Sequence, residues 1–273
     1  IFILPSFILC ALFMLWPLFE VIRYSFTDWN GVAPTYNYVW FDNYKQISQI
    51  DGYKEMMIAT VTFALGTTIL TIVISFMTAL ALDKKGKGYL PRGLMRSLWF
   101  LPALLSGTVV GMLWRIMYNY NNGVINKMLL SAGVEPINWL ETRGITNIAV
   151  IIGSTWVQIG FCVIVFLAGL QSIPQDLYEA ASLDGCSRWQ IFTKITLPLC
   201  KPMIVYQIIT SFMGPWVDFV FAKVIVGAKA EYYTVSIGLW NMLQKEYVTQ
   251  WYTCFAAGAV VVSIPISILL FSC

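Results

Sequence analysis

Six stretches of this chain, about 1–22, 56–82, 97–117, 147–170, 203–227 and 252–273, stay apolar for the roughly 20 residues that a helix needs to cross a bilayer. No other property limits its fold as strongly. In hydrocarbon every backbone N–H and C=O must be paired within the protein, which leaves helices and closed barrels. A barrel would show short segments of alternating polarity, and none occur. Charged residues make up 11% of the 273 positions and apolar ones 58%, whereas soluble domains carry roughly 25% charge. The expectation is an all-α integral membrane protein, one transmembrane domain over 1–273 with six spanning helices. The first stretch has neither a basic lead-in nor a small-residue cleavage site, so it is expected to be a retained anchor.

Basic residues orient the spans. Lys84, Lys85, Lys87, Arg92, Arg96, Arg188, Lys194 and Lys201 are eight of the 17 basic residues and fall in the loops 83–96 and 171–202, about 46 residues. The other nine are spread over about 95. This density puts both loops and both termini in the cytoplasm. The net charge of +3 gives no reason to expect a nucleic-acid partner.

Catalysis is poorly provided for. Histidine, the commonest general base, is absent, and the six cysteines form no C-x-x-C pair, so no catalytic residue and no metal site is assigned. "KKGKGYLPRG" lacks the G-x-x-x-x-G-K-[ST] spacing of a nucleotide-phosphate loop, so the chain is not expected to be an enzyme or to hydrolyse ATP itself. The aromatic loop beginning "SFTDWNGV" fits an interfacial belt, with external partner contact as the alternative. Gly107 and Gly111 form a G-x-x-x-G, and "FAAGAV" at 255–260 is similarly small; both are expected to pack helices within the subunit.

The polar stretch 171–202 between the fourth and fifth spans reads as helix, tight turn, helix. Ser172 and Gln175 in "SIPQ" have capping-box spacing, starting a helix near Ile173. Gly185 should end it, because glycine adopts the left-handed conformation without the cost of roughly 1–2 kcal/mol met by other residues. "SRWQ" repeats the capping box from Ser187 to Gln190, and Pro198 with Pro202 should interrupt the second helix. Leu177, Ala180, Ala181 and Asp184 share one small, flat face suited to close docking.

A polar cluster is also expected halfway through the membrane. Pro215, near the centre of the fifth stretch, cannot donate to the Ser211 carbonyl. Ser211, Gly214, Pro215 and Asp218 fall on one helical face, with Trp216 close by. An ionisable group at that depth costs about 2.5–3.5 kcal/mol, so Asp218 should face protein or water. In the fourth stretch Gln158 lies near the midpoint with Ser154 and Phe161 beside it. Such polar and aromatic groups would suit a sugar, whose hydroxyls need hydrogen bonds and whose C–H faces pack on rings. Gln158 and Asp218 would serve equally as structural interhelical hydrogen-bonding groups.

"EAASLDG" followed by "ITLPLCKP" resembles the EAA motif of membrane subunits of ABC importers. With "SFTDWN", "FDNYKQI", "NGVINKML" and "IPQDLYEAASLDG" the similarity extends over most of the chain, to bacterial carbohydrate-uptake permeases and in particular the maltose-type first-subunit group. The resemblance implies a type I importer permease whose segment 171–202, between the fourth and fifth spans, carries a cytoplasmic coupling helix. Its ATPase-contacting positions would be Glu179, Ala180, Ala181 and Gly185, with Asp184 adjacent. It also implies a second, similar permease subunit in a heterodimer, two ATPase subunits that bind the ATP and magnesium, and an extracellular or periplasmic sugar-binding protein. The site would be a bacterial cytoplasmic membrane and the cargo a carbohydrate, expected to be an oligosaccharide, moved by alternating access. Substrate-contacting positions in these relatives correspond here to Val157, Gln158, Phe161, Ser211, Gly214, Pro215 and Asp218, several with different residue types. Two rivals remain: a secondary transporter or channel using Asp218 as an ion site, and an intramembrane enzyme, for which convergent catalytic groups are missing.

Overall fold

The computed structural model describes residues 3–83, 92–142, 144–227, 233–243 and 248–272. Lys84, Lys85 and Lys87, used to orient the spans, lie outside the described residues. All regular elements among the described residues are helical, and one isolated bridge pairs Thr27 with Tyr38. In chain order the helices are α1 Leu4–Tyr24, α2 Asp42–Ser48, α3 Tyr53–Asp83, α4 Arg92–Phe100, α5 Gly107–Met117 and α6 Val124–Ser131. Then follow α7 Ile145–Gln171, α8 Gln175–Leu183, α9 Arg188–Leu199, α10 Lys201–Val217, α11 Val220–Val226, α12 Val235–Met242 and α13 Val248–Ser272.

Four of the expected spans are single long apolar helices: α1, α3, α7 and the greater part of α13. The other two are not. The stretch 97–117 is broken, with Gly93–Leu104 and Gly107–Met117 meeting at 97°. The break was written in the residues: Pro102 sits in a 3-10 turn, and Ser106, extended at ψ 149°, caps α5 by accepting from the Val109 amide at 3.4 Å. The stretch 203–227 is also divided. α10 ends at Val217, Asp218 is extended, and α11 starts afresh at Val220. At its other end α10 meets α9 at 64°.

Contacts divide the chain into two compact units. The first holds residues up to Ala59 and those from Tyr233 onward. Here α13 packs against α2 and the later part of α1, while α1 itself buries no residue. Asn43 is its polar anchor: Nδ2 donates to the Ser25 and Thr27 carbonyls at 2.9 and 2.8 Å, and Oδ1 accepts from Thr253 at 3.3 Å. Trp40, at φ 54°, is the only described non-glycine residue with positive φ.

The second unit, Thr60 to Tyr232, is organised around α7, whose buried side includes Gly153, Ile159, Gly160, Val163 and Phe166. Its glycines mark where neighbours come close. A Cβ on Gly160 would overlap the Trp99 carbonyl oxygen, and one on Gly153 would lie 2.8 Å from Phe221. Gly111 plays the expected packing role within the unit, since a Cβ there would come 2.8 Å from Val224 of α11; Gly107 is looser, 3.9 Å from Phe221.

Candidate functional site

The segment after α7 folds as a two-helix knuckle, though its first cap differs from the expectation. α8 starts at Gln175 with Pro174 as its N-cap residue and no side-chain cap. The Ser172 hydroxyl turns back instead and donates to the Gly169 carbonyl at 2.7 Å, satisfying the end of the preceding helix. The far end matches the expectation. Gly185 has φ 77°; its amide donates to the Ser182 carbonyl at 3.2 Å, and Cys186 donates to Ala181 at 3.0 Å. That bond pair is the Schellman closure, which places a left-handed glycine one residue past the helix. The second capping box forms in full: Ser187 Oγ accepts from the Gln190 amide at 3.3 Å and Gln190 Oε1 accepts from the Ser187 amide at 2.8 Å.

Pro198 does not interrupt the second helix. A π-helical stretch at Phe192–Thr196, in which the Leu197 amide reaches the Phe192 carbonyl, widens the turn ahead of the proline, and α9 runs on to Leu199. The two knuckle helices are tied by Tyr178 and Thr196, whose hydroxyls are 3.3 Å apart. Their inner side is rooted in a cluster of Phe76, Phe166, Leu170, Ile173 and Cys200, with Tyr178 and Phe192 packed on it.

Glu179, Ala180, Asp184 and Gly185 are exposed, whereas Ala181 is buried. The face picked by spacing is therefore divided: Ala181 serves internal packing. The outward surface includes two large side chains that spacing did not single out, Leu183 at 88% and Trp189 at 71% exposure. Leu183 follows Glu179 by one turn, a signal available in the sequence.

The mid-membrane residues divide as well. Gln158 is the central residue of the 27-residue α7, and its Nε2 donates to Ser154 Oγ at 3.0 Å. Gly214 of α10 lies opposite: a Cβ there would be 3.8 Å from Gln158 Nε2. These two elements do come together at the expected residues. Phe161 and Gly214 are exposed, and Val157 and Gln158 are half-buried. Ser211, Pro215 and Trp216 are buried, Trp216 stacking on Phe212 with centroids 5.2 Å apart.

Asp218 does not share their helical face. Because α10 has ended, its carboxylate caps α11, accepting from the Phe221 and Ala222 amides at 3.4 and 2.8 Å. One turn along from the expected residues lies a polar pair that sequence reasoning missed. Cys162 donates to Gln207 Oε1 at 3.0 Å, and its sulfur is 3.7 Å from Ser211 Oγ. The signal was the four-residue step from Gln158 to Cys162 and from Ser211 to Gln207. Together they form a polar seam between α7 and α10, the two helices that the knuckle joins.

A family profile described as "Binding-protein-dependent transport system inner membrane component" matches residues 92–272. The trehalose/maltose transport system permease protein MalF of Thermococcus litoralis is 32% identical over 237 residues, covering 87% of this chain and 79% of its own. The multiple sugar-binding transport system permease protein MsmF of Streptococcus mutans is 30% identical over 87% of this chain and 81% of its own. The diacetylchitobiose uptake system permease protein NgcF of Streptomyces coelicolor is 28% identical over 85% and 69%. Among solved structures, a chain of a bacterial alginate ABC transporter in complex with an alginate-pentasaccharide-bound periplasmic protein superimposes with a TM-score of 0.80. At 23% identity it covers 99% of this chain and 90% of its own, showing the same fold.

Proposed function

The chain belongs to the binding-protein-dependent transport system inner membrane components, and from that premise we propose that it is a membrane-spanning subunit of an ATP-driven importer carrying a carbohydrate into the cell. The observation that carries the reading is structural: one short knuckle, tied across by Tyr178 and Thr196, joins the two helices, α7 and α10, that enclose a polar seam at mid-membrane depth. The sugar-transport roles of the trehalose/maltose, diacetylchitobiose and multiple-sugar relatives supply the class of cargo.

In this reading the knuckle faces the cytoplasm, as do both termini, and seats against one of two nucleotide-binding subunits that hold the ATP and magnesium. Glu179, Ala180, Leu183, Asp184 and Gly185 form the contact, and Ala181 fixes the helix to its own subunit. A second permease subunit completes the pathway, and a sugar-binding protein delivers cargo from outside. Gln158 and Phe161, opposite Gly214, receive the sugar: the amide pairs with hydroxyls and the ring packs on C–H faces. Closure of the ATPase pair displaces the knuckle, and because α7 and α10 leave it from both ends, the seam reopens on the other side. Family membership and the capping geometry of Asp218 support this over an ion-coupled carrier.

The test is Glu179→Lys in the reconstituted transporter. Loss of sugar-stimulated ATP hydrolysis together with uptake is expected; survival of both overturns the coupling assignment.

A further inference from the structure

The second unit holds a polar cleft at the end of α7 remote from the knuckle. Tyr118, which lies in it, donates from its hydroxyl to the Ala149 carbonyl in the first turn and a half of α7 at 3.0 Å, while the knuckle follows Gln171. From Ala149 to Gln171 the helix rises about 33 Å. Cleft and knuckle therefore belong to opposite faces of the membrane. The cleft encloses about 540 Å³, within the roughly 300–1,000 Å³ of small-molecule sites.

Its polar lining converges from four places. Arg115 comes from the last turn of α5, Asn121 from the turn after it, and Asn138 with Glu141 from the segment before α7; Gly227 ends α11 on the far wall. Tyr120, half-exposed at 49%, offers a ring. Asn138 Nδ2 donates to Glu141 Oε2 at 3.0 Å, orienting both side chains.

The cleft is held open by buried structure. Asn126, 1% exposed, uses its whole amide on the two lips: Nδ2 donates to the Tyr120 and Ile137 carbonyls at 3.1 and 2.9 Å, and Oδ1 accepts from the Ile137 amide and Trp139 Nε1 at 3.1 and 2.9 Å. Beneath it Tyr118 is sandwiched between Trp114 and Trp139, with centroids 5.2 and 5.4 Å away. A connecting loop in water does not need this much fixing; a site that must keep its shape does.

Amide, guanidinium, carboxylate and phenol in one cleft can donate and accept around a neutral polyhydroxylated ring. Glu141 disfavours a phosphate and Arg115 a simple cation. We infer that this cleft is a carbohydrate subsite on the outer face, separate from the mid-membrane seam, holding one or two sugar rings on arrival. The inference rests on the carbohydrate reading above. The site is linked to the pathway through α11, whose C-terminal Gly227 lies beside the Arg115 guanidinium and whose N-terminal end is capped by Asp218 at the break of the fifth span.

The test uses the assembled transporter in sealed proteoliposomes, labelled in the absence of its binding protein. Asn121→Cys and Asn138→Cys are labelled with a membrane-impermeant maleimide, with Lys127→Cys, exposed on α6 outside the cleft, as control. Maltose, trehalose, diacetylchitobiose and arabinobiose are the probes, and their uptake by the same assembly with binding protein added is measured in parallel. A transported sugar should slow labelling at 121 and 138, halving it at the half-saturating concentration, and leave 127 unchanged. A transported sugar that leaves all three rates unchanged overturns the subsite while the carbohydrate reading stands. Protection only by the binding protein assigns the cleft to protein contact and overturns it too. Failure of the assembly to take up any sugar overturns the carbohydrate reading and this inference with it.

Discussion

Adding one methyl group at Gly160 and one at Gly214 should have opposite consequences, although both residues lie on spanning helices. A Cβ at 160 overlaps the Trp99 carbonyl oxygen and lies 3.0 Å from Phe100 Cα and 3.1 Å from the Trp99 carbonyl carbon. All three atoms are backbone and cannot rotate away, so α7 and the Trp99–Phe100 segment must separate. Overpacking of this kind costs about 1–3 kcal/mol, and backbone neighbours place it at the upper end. The gain in helix propensity on replacing glycine returns about 0.5–1 kcal/mol, leaving a net loss near 2 kcal/mol. At about 2–4 °C per kcal/mol for a chain of this size, Gly160→Ala should melt about 4–8 °C lower. At Gly214 the nearest atoms are those of the Gln158 amide at 3.8–3.9 Å, ordinary contact, so Gly214→Ala should keep or slightly raise the melting temperature. Its effect should fall on sugar preference, because the methyl stands beside Gln158. A fluorogenic maleimide that reports the unmasking of buried Cys162, Cys200 and Cys254 during heating of the purified protein measures both. Equal melting of the two variants, or a wild-type midpoint for Gly160→Ala, would refute the packing argument.

At the knuckle, nothing lies within 4 Å of a Cβ on Gly185, so Gly185→Ala should cost only the backbone strain of about 1–2 kcal/mol, weakening ATPase association roughly 5- to 30-fold. Gly185→Asn should recover most of it in a pull-down titration, and equal loss in both variants would contradict the conformational cause. Ser187→Ala removes the closed capping box and should weaken the same association; Ser172→Ala, whose hydroxyl serves the previous helix, should do so less, and the reverse order would be incompatible with the hydrogen bonds found. Asp218→Leu removes both acceptors at the start of α11 and should cost about 1 kcal/mol of thermal stability, with Asp218→Asn close to wild type; identical melting of all three would rule out the cap.

Hydropathy located α1, α3, α7 and α13 because each is one unbroken helix, and uninterrupted apolar length is the quantity that such a window measures. It read straight through the third span because Leu104 and Leu105, at the break itself, are as apolar as residues within a helix; Pro102 and Ser106 held the information instead. The fifth span was misjudged for a related reason. Asp218 was placed on a helical face by counting, yet a carboxylate can as readily cap a new helix, and two backbone amides beyond it decided the matter. Gly185 and the Ser187–Gln190 box were legible because both motifs are local. The burial of Ala181 was not: spacing groups residues onto a face without saying which of them the rest of the fold covers. Likewise Gln158 and Gly214 were paired by depth alone, whereas the importance of Gly160 depends on the Trp99–Phe100 backbone about 60 residues earlier in the chain, at a crossing that no helical periodicity reveals.

The claim that the knuckle receives work from an ATP-hydrolysing partner is tested most directly by a photo-activated cross-linker placed at Ala180 and, separately, at Leu183, which is 88% exposed. In the transport-competent assembly both positions should form adducts with a nucleotide-binding subunit, and a cross-linker at Ser6 in α1 should form none with it. Uptake-active preparations in which neither Ala180 nor Leu183 reaches that subunit would contradict the account.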